Sequence, residues 1–502
     1  MRRMLVISAI MLFSAGVFPA FAAPLKVCLV SGSFEYDSDT ALARFKEYLE
    51  QNYEADCTLL KADGWTKIPG LEALDTCDTA LFYTRRLELE GGQLALIKRY
   101  CDAGKPLVAV RTASHGFQKW LAFDREVLGG NYKGHFGEGP TIETFVMPSG
   151  KGHPILDGVG KIRSRYSLYR TAPVAKDATV LLTGGTPDSG GRQPLAWTRE
   201  HRGGRVFYTS LGGVEDFGHR AFARMAANAL FWTANRPVAR KEPPALEPRM
   251  KKEGMLRLAM RTRVPAGTDG ADWREESILQ EWRAHETAII VCDMWDRHWC
   301  EFATQRVDGM APRMNELLTA ARGAGVMVVH CPSETLGFYQ DTPARRRMLS
   351  PTPVTPEMVR DVVEPPLPID DSDGGCPGPE KFYPAWSRQH PAIEIKDGDG
   401  ISDDGREIFS YFQQEGIRNI IYMGVHTNMC VLGRSFGIRQ MFRWGMNCAL
   451  VRDLTDTMYN PAMPPNVAHD EGTERVVQHI EKYWCPSLLA GELISGLPDT
   501  SN

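Results

Sequence analysis

Apolar residues along the chain come in short runs separated by amphipathic segments, and this alternation occurs twice. Leu25-Lys-Val-Cys-Leu-Val-Ser-Gly32 reads as a buried strand of parallel type that ends in a glycine turn. Thr79-Ala-Leu-Phe-Tyr83 follows as a strand, Leu94 to Ala103 as a helix and Pro106-Leu-Val-Ala-Val110 as a strand. The pattern continues to about Pro237 and defines a first domain over 24–238. It resumes with strand Thr287–Cys292, helix Arg313–Ala324, and strands Val326–His330 and Ala392–Lys396. Helix Arg406–Gln414 and strands Asn419–Met423 and Asn447–Val451 complete a second domain over 286–495. Strands alternating with helices give parallel sheets covered on both faces. The predicted fold is therefore α/β, with two three-layer α/β/α domains, each built on a mainly parallel sheet.

Between the domains the texture changes. Arg240-Lys-Glu-Pro-Pro-Ala-Leu-Glu-Pro-Arg-Met-Lys-Lys252 mixes proline and charge as semi-rigid linkers do. Residues 239–285 are read as a linker, with a helix over Glu275–His285 leading into the second domain. A long Pro-, Gly- and Asp-rich stretch from Pro351 to Pro391 carries Tyr383 and Trp386. Long loops in compact domains are covers or disordered segments. Asp397-Gly-Asp399-Gly-Ile-Ser-Asp403-Asp404 has the look of a calcium loop, but its twelfth position is Ile408, so a turn is the better reading.

A net charge of −4 over 502 residues gives no electrostatic case for nucleic acid. At the N-terminus, Arg2-Arg3 precedes an apolar run from Met4 to Phe13, and Ala20 and Ala22 suit a cut after Ala22. Residues 1–22 thus read as a secretory signal peptide. That predicts an exported protein, periplasmic or secreted, with no membrane attachment after cleavage. The eleven cysteines show no C-x-x-C pair and no legible disulfide framework. An odd count leaves at least one thiol without an intramolecular partner.

Cys430 is the thiol placed for chemistry. It lies where the apolar run Ile420–Met423 breaks at Gly424, ahead of a helical spacing at Val431, Leu432, Phe436, Ile438, Met441 and Phe442. At such a helix start the unpaired N–H groups and the dipole favour a thiolate. The competing reading is a buried structural cysteine.

Gly424-Val-His-Thr427-Asn-Met-Cys430-Val431 resembles the cysteine signature of the isochorismatase-like cysteine hydrolase superfamily. That resemblance implies an Asp-Lys-Cys triad. Asp293, ending the strand Thr287–Cys292, and Lys396, ending Ala392–Lys396, stand in the implied order before Cys430. The resemblance further implies that Asp293 takes the thiol proton and Lys396 stabilises the thiolate. Backbone N–H groups of His426 and Cys430 would receive the oxyanion, with a cis peptide just before His426. Trp295, His298, Trp299 and Thr427 are read as pocket lining. A metal near Asp296 and His298 is conceivable, but the closely spaced metal loop of related nicotinamidases has no match, so neither metal nor cofactor is assigned.

The first domain resembles the trehalose-utilisation (ThuA-like) family, a branch of the class I glutamine-amidotransferase-like fold. The resemblance rests on Pro106–His115, Leu128–His135, Gly152-His-Pro154, and Ala196-Trp-Thr-Arg199 with Gly203–Gly212. Amidotransferases of that fold carry a cysteine at the elbow after the central strand. Here the elbow reads Arg111-Thr-Ala-Ser114, so glutaminase chemistry lacks its nucleophile. Arg111, His115 and His135 either line a ligand cleft at the sheet's carboxyl edge or are ordinary loop groups. The resulting expectation is an exported hydrolase of C–N bonds in small amides, ureides or carbamoyl compounds, with homo-oligomerisation left open. The alternative is a two-domain protein that binds a carbohydrate or another ligand without catalysis.

Overall fold

The computed structural model describes residues 23–137, 140–249, 251–266, 272–378 and 383–498. The expected signal peptide, 1–22, lies outside the described residues. The first domain is a nine-stranded sheet in the order β2-β1-β3-β4-β9-β8-β7-β5-β6. Its strands are β1 Leu25–Gly32, β2 Ala55–Lys61, β3 Thr79–Thr84, β4 Leu107–Val110, β5 Ile142–Val146, β6 Arg163–Ser164, β7 Thr179–Gly185, β8 Gln193–His201 and β9 Gly204–Thr209. The half from β2 to β9 is parallel. The half from β9 to β6 is antiparallel, extended by hairpins rather than crossovers. Side chains of β3 alternate between two cores: Leu81 and Tyr83 face one, Ala80 and Phe82 the other. A strand buried on both faces cannot show a polar alternation, which is why its sequence is a solid apolar run.

The second domain is an eight-stranded sheet in the order β11-β10-β17-β16-β15-β12-β13-β14. Its strands are β10 Met255–Pro265, β11 Trp273–Arg283, β12 Thr287–Cys292, β13 Met327–Cys331, β14 Gly400–Ile401, β15 Asn419–Val425, β16 Asn447–Asp456 and β17 Ser487–Leu488. The run from β17 to β14 is parallel. Ile289 and Val291 of β12 face one core; Ala288, Ile290 and Cys292 face the other. The α/β class and two-sheet architecture are those expected.

Three local expectations are corrected. The linker read over 239–285 is in large part structure, because β10 and β11 form an antiparallel hairpin at the edge of the second sheet. Leu256, Leu258 and Met260 are buried with period two, whereas charged β11 exposes most of its length and so resembles a surface helix. Ala392–Lys396 is not a strand. Its amides are taken by local partners, Glu394 N–H by Asn315 Oδ1 (3.0 Å) and Lys396 N–H by Asp399 Oδ2 (2.8 Å), and β14 pairs with β13 instead. The helix expected after Cys430 is interrupted: a π-type turn spans Thr427–Val431 and a short helix spans Ile438–Arg443. A helix-dipole argument for the thiol therefore fails, and its environment must come from side chains and single amides.

One disulfide, Cys300–Cys376, ties the segment after β12 to the long loop, where sequence spacing indicated no framework. The first domain packs on the segment that follows β13, with Arg163 Nη2 on Glu334 Oε2 at 2.8 Å and Gly160 N–H on Gln340 Oε1 at 2.8 Å.

Candidate active site

Strands β12 and β15 are parallel neighbours, so the residues that follow them emerge at the same sheet edge. Gly424 makes the close approach possible. Its φ is +119°, and a Cβ there would lie 2.1 Å from the Cys292 carbonyl oxygen. Asp293, immediately after β12, is fully buried with φ +46°. Such a left-handed non-glycine conformation costs on the order of 1 kcal/mol or more and persists only where its surroundings fix it. Here they do: Asp293 N–H donates to Cys331 O at 3.0 Å, and Ser333 N–H donates to Asp293 Oδ1 at 2.7 Å. The second carboxylate oxygen accepts from Arg434 Nε at 3.0 Å.

The Cys430 thiol stands beside the Asp293 carboxyl, close enough for each to shift the other's proton affinity, and near the backbone N–H of His426. Its residue is only partly buried. Burial pushes the thiol pKa well up, and the Asp293 charge adds to this; Arg434 and the His426 amide pull it down. Burial also raises the Asp293 carboxyl, against the pull of Arg434. The resting pair is thus a neutral thiol beside a carboxyl whose proton affinity is increased, an arrangement in which a proton can pass from sulfur to oxygen.

The structure brings Asp293 and Cys430 together and leaves Lys396 apart. The Lys396 ammonium pairs with Glu394 at 2.7 Å, and both side chains are more than half exposed. It lines a cleft of about 300 Å³ with Arg249, Arg347 and Asp399, separate from the thiol. Without a strand at Ala392–Lys396, nothing delivers this lysine to the sheet's carboxyl edge. The cation at the site is Arg434, one turn beyond Cys430, where Arg434 N–H donates to Cys430 O at 3.0 Å. That i, i+4 spacing was the available signal for it.

The Val425–His426 peptide is cis, as the resemblance implied. Trp295 stacks on Trp386 at 4.3 Å and 13°, and His298 lies against both indoles at 6.1 and 5.7 Å. Trp299 packs on His298 at 5.1 Å, and Met429, Met458 and the disulfide complete an apolar cluster that reaches Cys430. Trp295 and Trp299 belong to the cluster that packs against Cys430, and His298 lies against both rings. Trp386, from the long Pro351–Pro391 stretch, joins them. Thr427 does not: it is fully buried and bonded to Thr455 Oγ1 at 2.7 Å, which in turn donates to Gly424 O. It braces the turn rather than lining a pocket.

His298 Nδ1 accepts the Cys300 N–H at 3.1 Å, which places the proton of the neutral ring on Nε2. Burial lowers the His298 pKa to about 2 and that of His426, whose ring is 5.0 Å from His298, to about 4. Both imidazoles are neutral near pH 7. Among the described residues no group of three or more His, Cys, Asp or Glu side chains is arranged to hold a metal ion.

In the first domain Arg111 also follows its strand, β4, with φ +47° and complete burial. Its guanidinium lies 4.6 Å from the ring centres of Tyr36 and Tyr169 and 5.2 Å from that of Tyr166. Its donors meet Ser210 O at 2.9 Å and Ser167 Oγ at 3.2 Å. His115 stacks on Tyr132 at 4.5 Å, beside this cage. Burial lowers the His115 pKa to about 3, assisted by Arg85, Arg86 and Arg111. His135 is not part of the cage: it is exposed, with Nδ1 2.8 Å from Phe136 O.

A two-sheet α/β protein with a carboxyl–thiol–guanidinium cluster at one strand edge is the class that fold and site define. Residues 26–233 match the family model described as trehalose utilisation (ThuA). No curated protein matches the chain. Among solved structures, a putative ThuA-like protein from Parabacteroides merdae is similar over 44% of this chain and 93% of its own, at 18% identity and a TM-score of 0.36. A cysteine hydrolase from Pseudomonas syringae is similar over 43% of this chain and 93% of its own, at 20% identity and a TM-score of 0.29. An isochorismatase family protein from Burkholderia thailandensis covers 42% of this chain and 96% of its own, at 16% identity and a TM-score of 0.27.

Proposed function

We propose that the second domain is a cysteine hydrolase that cleaves a C–N bond of a small amide, ureide or carbamoyl compound. The observation that carries this reading is the Cys430 thiol standing beside a buried Asp293 carboxyl that is itself fixed by Arg434. Asp293 accepts the thiol proton as sulfur attacks the carbonyl carbon. The departing nitrogen takes that proton as its bond to carbon breaks, which leaves a thioester. Water, giving a proton to Asp293, then cleaves the thioester and restores the thiol. Arg434 replaces Lys396 as the cation that holds the carboxylate. The His426 and Cys430 N–H groups are the assigned oxyanion donors, each such donor being worth roughly 10²–10³ in rate. The neutral His298 and the two stacked indoles favour a small, flat, uncharged acyl group.

A panel of small amides, ureides and carbamoyl compounds, together with iodoacetamide labelling of Cys430, tests the reading. Turnover that vanishes in Cys430→Ala supports it; a Cys430 that iodoacetamide never labels overturns it. One observation favours the second reading, a ligand-binding protein without catalysis: the implied lysine stands away from the thiol, paired with Glu394. Ligand binding without turnover across the panel would select that reading. Export is proposed on Arg2-Arg3, the apolar run and Ala20 and Ala22. The mature chain is then expected to begin at Ala23, and N-terminal sequencing that still finds Met1 overturns this.

A further inference from the structure

The loop that supplies Trp386 belongs to the second domain, yet the first domain holds it in place. Consecutive residues from Ala385 to Arg388 each meet that domain or a carboxylate it contacts. Thr141 Oγ1 donates to Ala385 O. Arg163 Nη1 reaches Trp386 O at 3.5 Å, and its guanidinium lies 5.7 Å from the Trp386 ring centre. Ser387 N–H and Oγ both bond Asp296, at 2.9 and 2.5 Å, and Arg165 approaches the same carboxylate at 3.6 Å. Arg388 pairs with Glu215 at 3.7 Å.

These contacts end at the aromatic cluster that packs against Cys430. Asp296 directly follows Trp295, so the Asp296–Ser387 bonds clamp the Trp295–Trp386 stack from behind. Arg165 supplies positive charge to a carboxylate whose side chain is only 1% exposed. Arg163, with a side chain 3% exposed, also holds Glu334 at 2.8 Å. Glu334 follows Ser333, whose N–H fixes Asp293 and whose carbonyl accepts the Trp295 indole N–H at 3.1 Å. A buried guanidinium carried by one domain and bonded to another is expensive to lose, since its partners are left without a donor.

We infer that Arg163 and Arg165 are positioning residues for the Cys430 pocket, and that the first domain sets the width of the opening through which an electrophile reaches the thiol. The first domain contributes no atom to the reaction; it fixes the indole wall. The inference rests on the proposed reactivity of Cys430, but the wall can be read separately.

The test uses the full-length protein, with Arg163→Met to remove the guanidinium and Arg163→Lys to restore a charge. Cys430 is alkylated with iodoacetamide and, in parallel, with the bulkier N-phenylmaleimide, and adducts are located by peptide mapping. Near-UV circular dichroism reports the stacked indoles, and the thermal midpoint reports folding. In Arg163→Met the ratio of phenylmaleimide to iodoacetamide rates is expected to rise by about tenfold, equivalent to 1.4 kcal/mol. The indole band should weaken, and Arg163→Lys should recover part of both. A merely structural role would lower the thermal midpoint and change both rates alike, and that result overturns the inference. An unchanged ratio and band in a folded Arg163→Met protein overturns it as well. If neither reagent labels Cys430 in the parent protein, the hydrolase reading fails; the indole band alone then decides whether Arg163 holds the wall. Should Arg163→Met not fold, Arg165→Met, at a more exposed position, carries the same measurements.

Discussion

Arg111 and Asp293 occupy the same place in two different domains. Each follows a buried parallel strand, each is fully buried, and each takes a left-handed backbone, at φ +47° and +46°. What surrounds them differs. Arg111 is a cation among tyrosine faces, and the nearest hydroxyl–imidazole pair, Ser114 Oγ and His115 Nδ1 at 3.1 Å, has a useless base. An imidazole held to a pKa of about 3 by burial and three arginines cannot take a serine proton near neutrality. Asp293 is an anion beside a thiol, with one guanidinium to fix it. The same backbone device therefore presents a cation caged by tyrosines in one domain and a carboxyl beside a thiol in the other. Charge, not fold, separates them.

The sharpest way to break this comparison is to remove the chemistry from one elbow only. Cys430→Ala should lower turnover of any amide substrate by roughly 10³-fold or more, and Asp293→Asn should come close to it, as members of one catalytic unit do. Arg111→Met should leave Cys430 labelling unchanged. The full-length Cys430→Ala protein should release no ammonia from glutamine, because the Arg111 elbow has no thiol. Measurable release after removal of contaminants would place a second nucleophile in the first domain.

Much of this contrast was legible in the residues themselves. Thr287–Cys292 is a strand within those bounds, Asp293 and Cys430 meet, and the elbow at Arg111-Thr-Ala-Ser114 does lack a thiol. What escaped was whatever tertiary pairing decides. Ile393 and Ile395 resemble a strand by period two, but only β13 could have paired them, and its edge is taken by Gly400 and Ile401. β11 spaces its charges as a surface helix does, and only pairing with β10 shows otherwise. Trp386 carries no motif and Arg434 only its i, i+4 spacing from Cys430; both are recognised by what they touch.

A smaller effect is expected at Arg434, whose charge partly offsets the rise that burial gives the Cys430 thiol. Arg434 lowers the pKa of Cys430, so Arg434→Met should raise it and move the alkylation profile to higher pH. Near neutrality the labelling rate should fall by roughly tenfold, the loss expected from one charge-assisted contact of ~1.5 kcal/mol. A profile that moves to lower pH would mean that Arg434 does not stabilise the thiolate.

Each elbow also keeps a neutral imidazole beside it, His115 at about 3 and His426 at about 4. The unfolded chain protonates histidine near 6.5, so below that pH it binds protons that the folded protein refuses. Each histidine therefore costs stability as pH falls from about 6.5 toward its folded value, by up to ~1.4 kcal/mol per pH unit. His115→Gln and His426→Gln should each flatten the fall of urea-unfolding free energy between those limits. Buried carboxyls such as Asp124, raised to about 6, act in the opposite sense, so the comparison must be variant against parent. A variant whose slope matches the parent's would show that its histidine titrates normally.

The smallest effect is the one that best separates sequence resemblance from geometry. Lys396 stands third in an Asp-Lys-Cys order, but its ammonium pairs with Glu394 in water, with both side chains more than half exposed. An exposed pair of this kind contributes little to stability and does nothing for a thiol it does not face. Lys396→Met should thus change both stability and the Cys430 alkylation rate by less than about twofold, equivalent to ~0.4 kcal/mol. Measured beside Arg434→Met, it assigns the site's cation by experiment. If instead Lys396→Met slows alkylation as strongly as Arg434→Met, the lysine must swing to the thiol during reaction. The Ala392–Lys396 segment would then have to leave its bonds to Asn315 and Asp399, and the cation would be shared between two domains of charge rather than held by Arg434 alone.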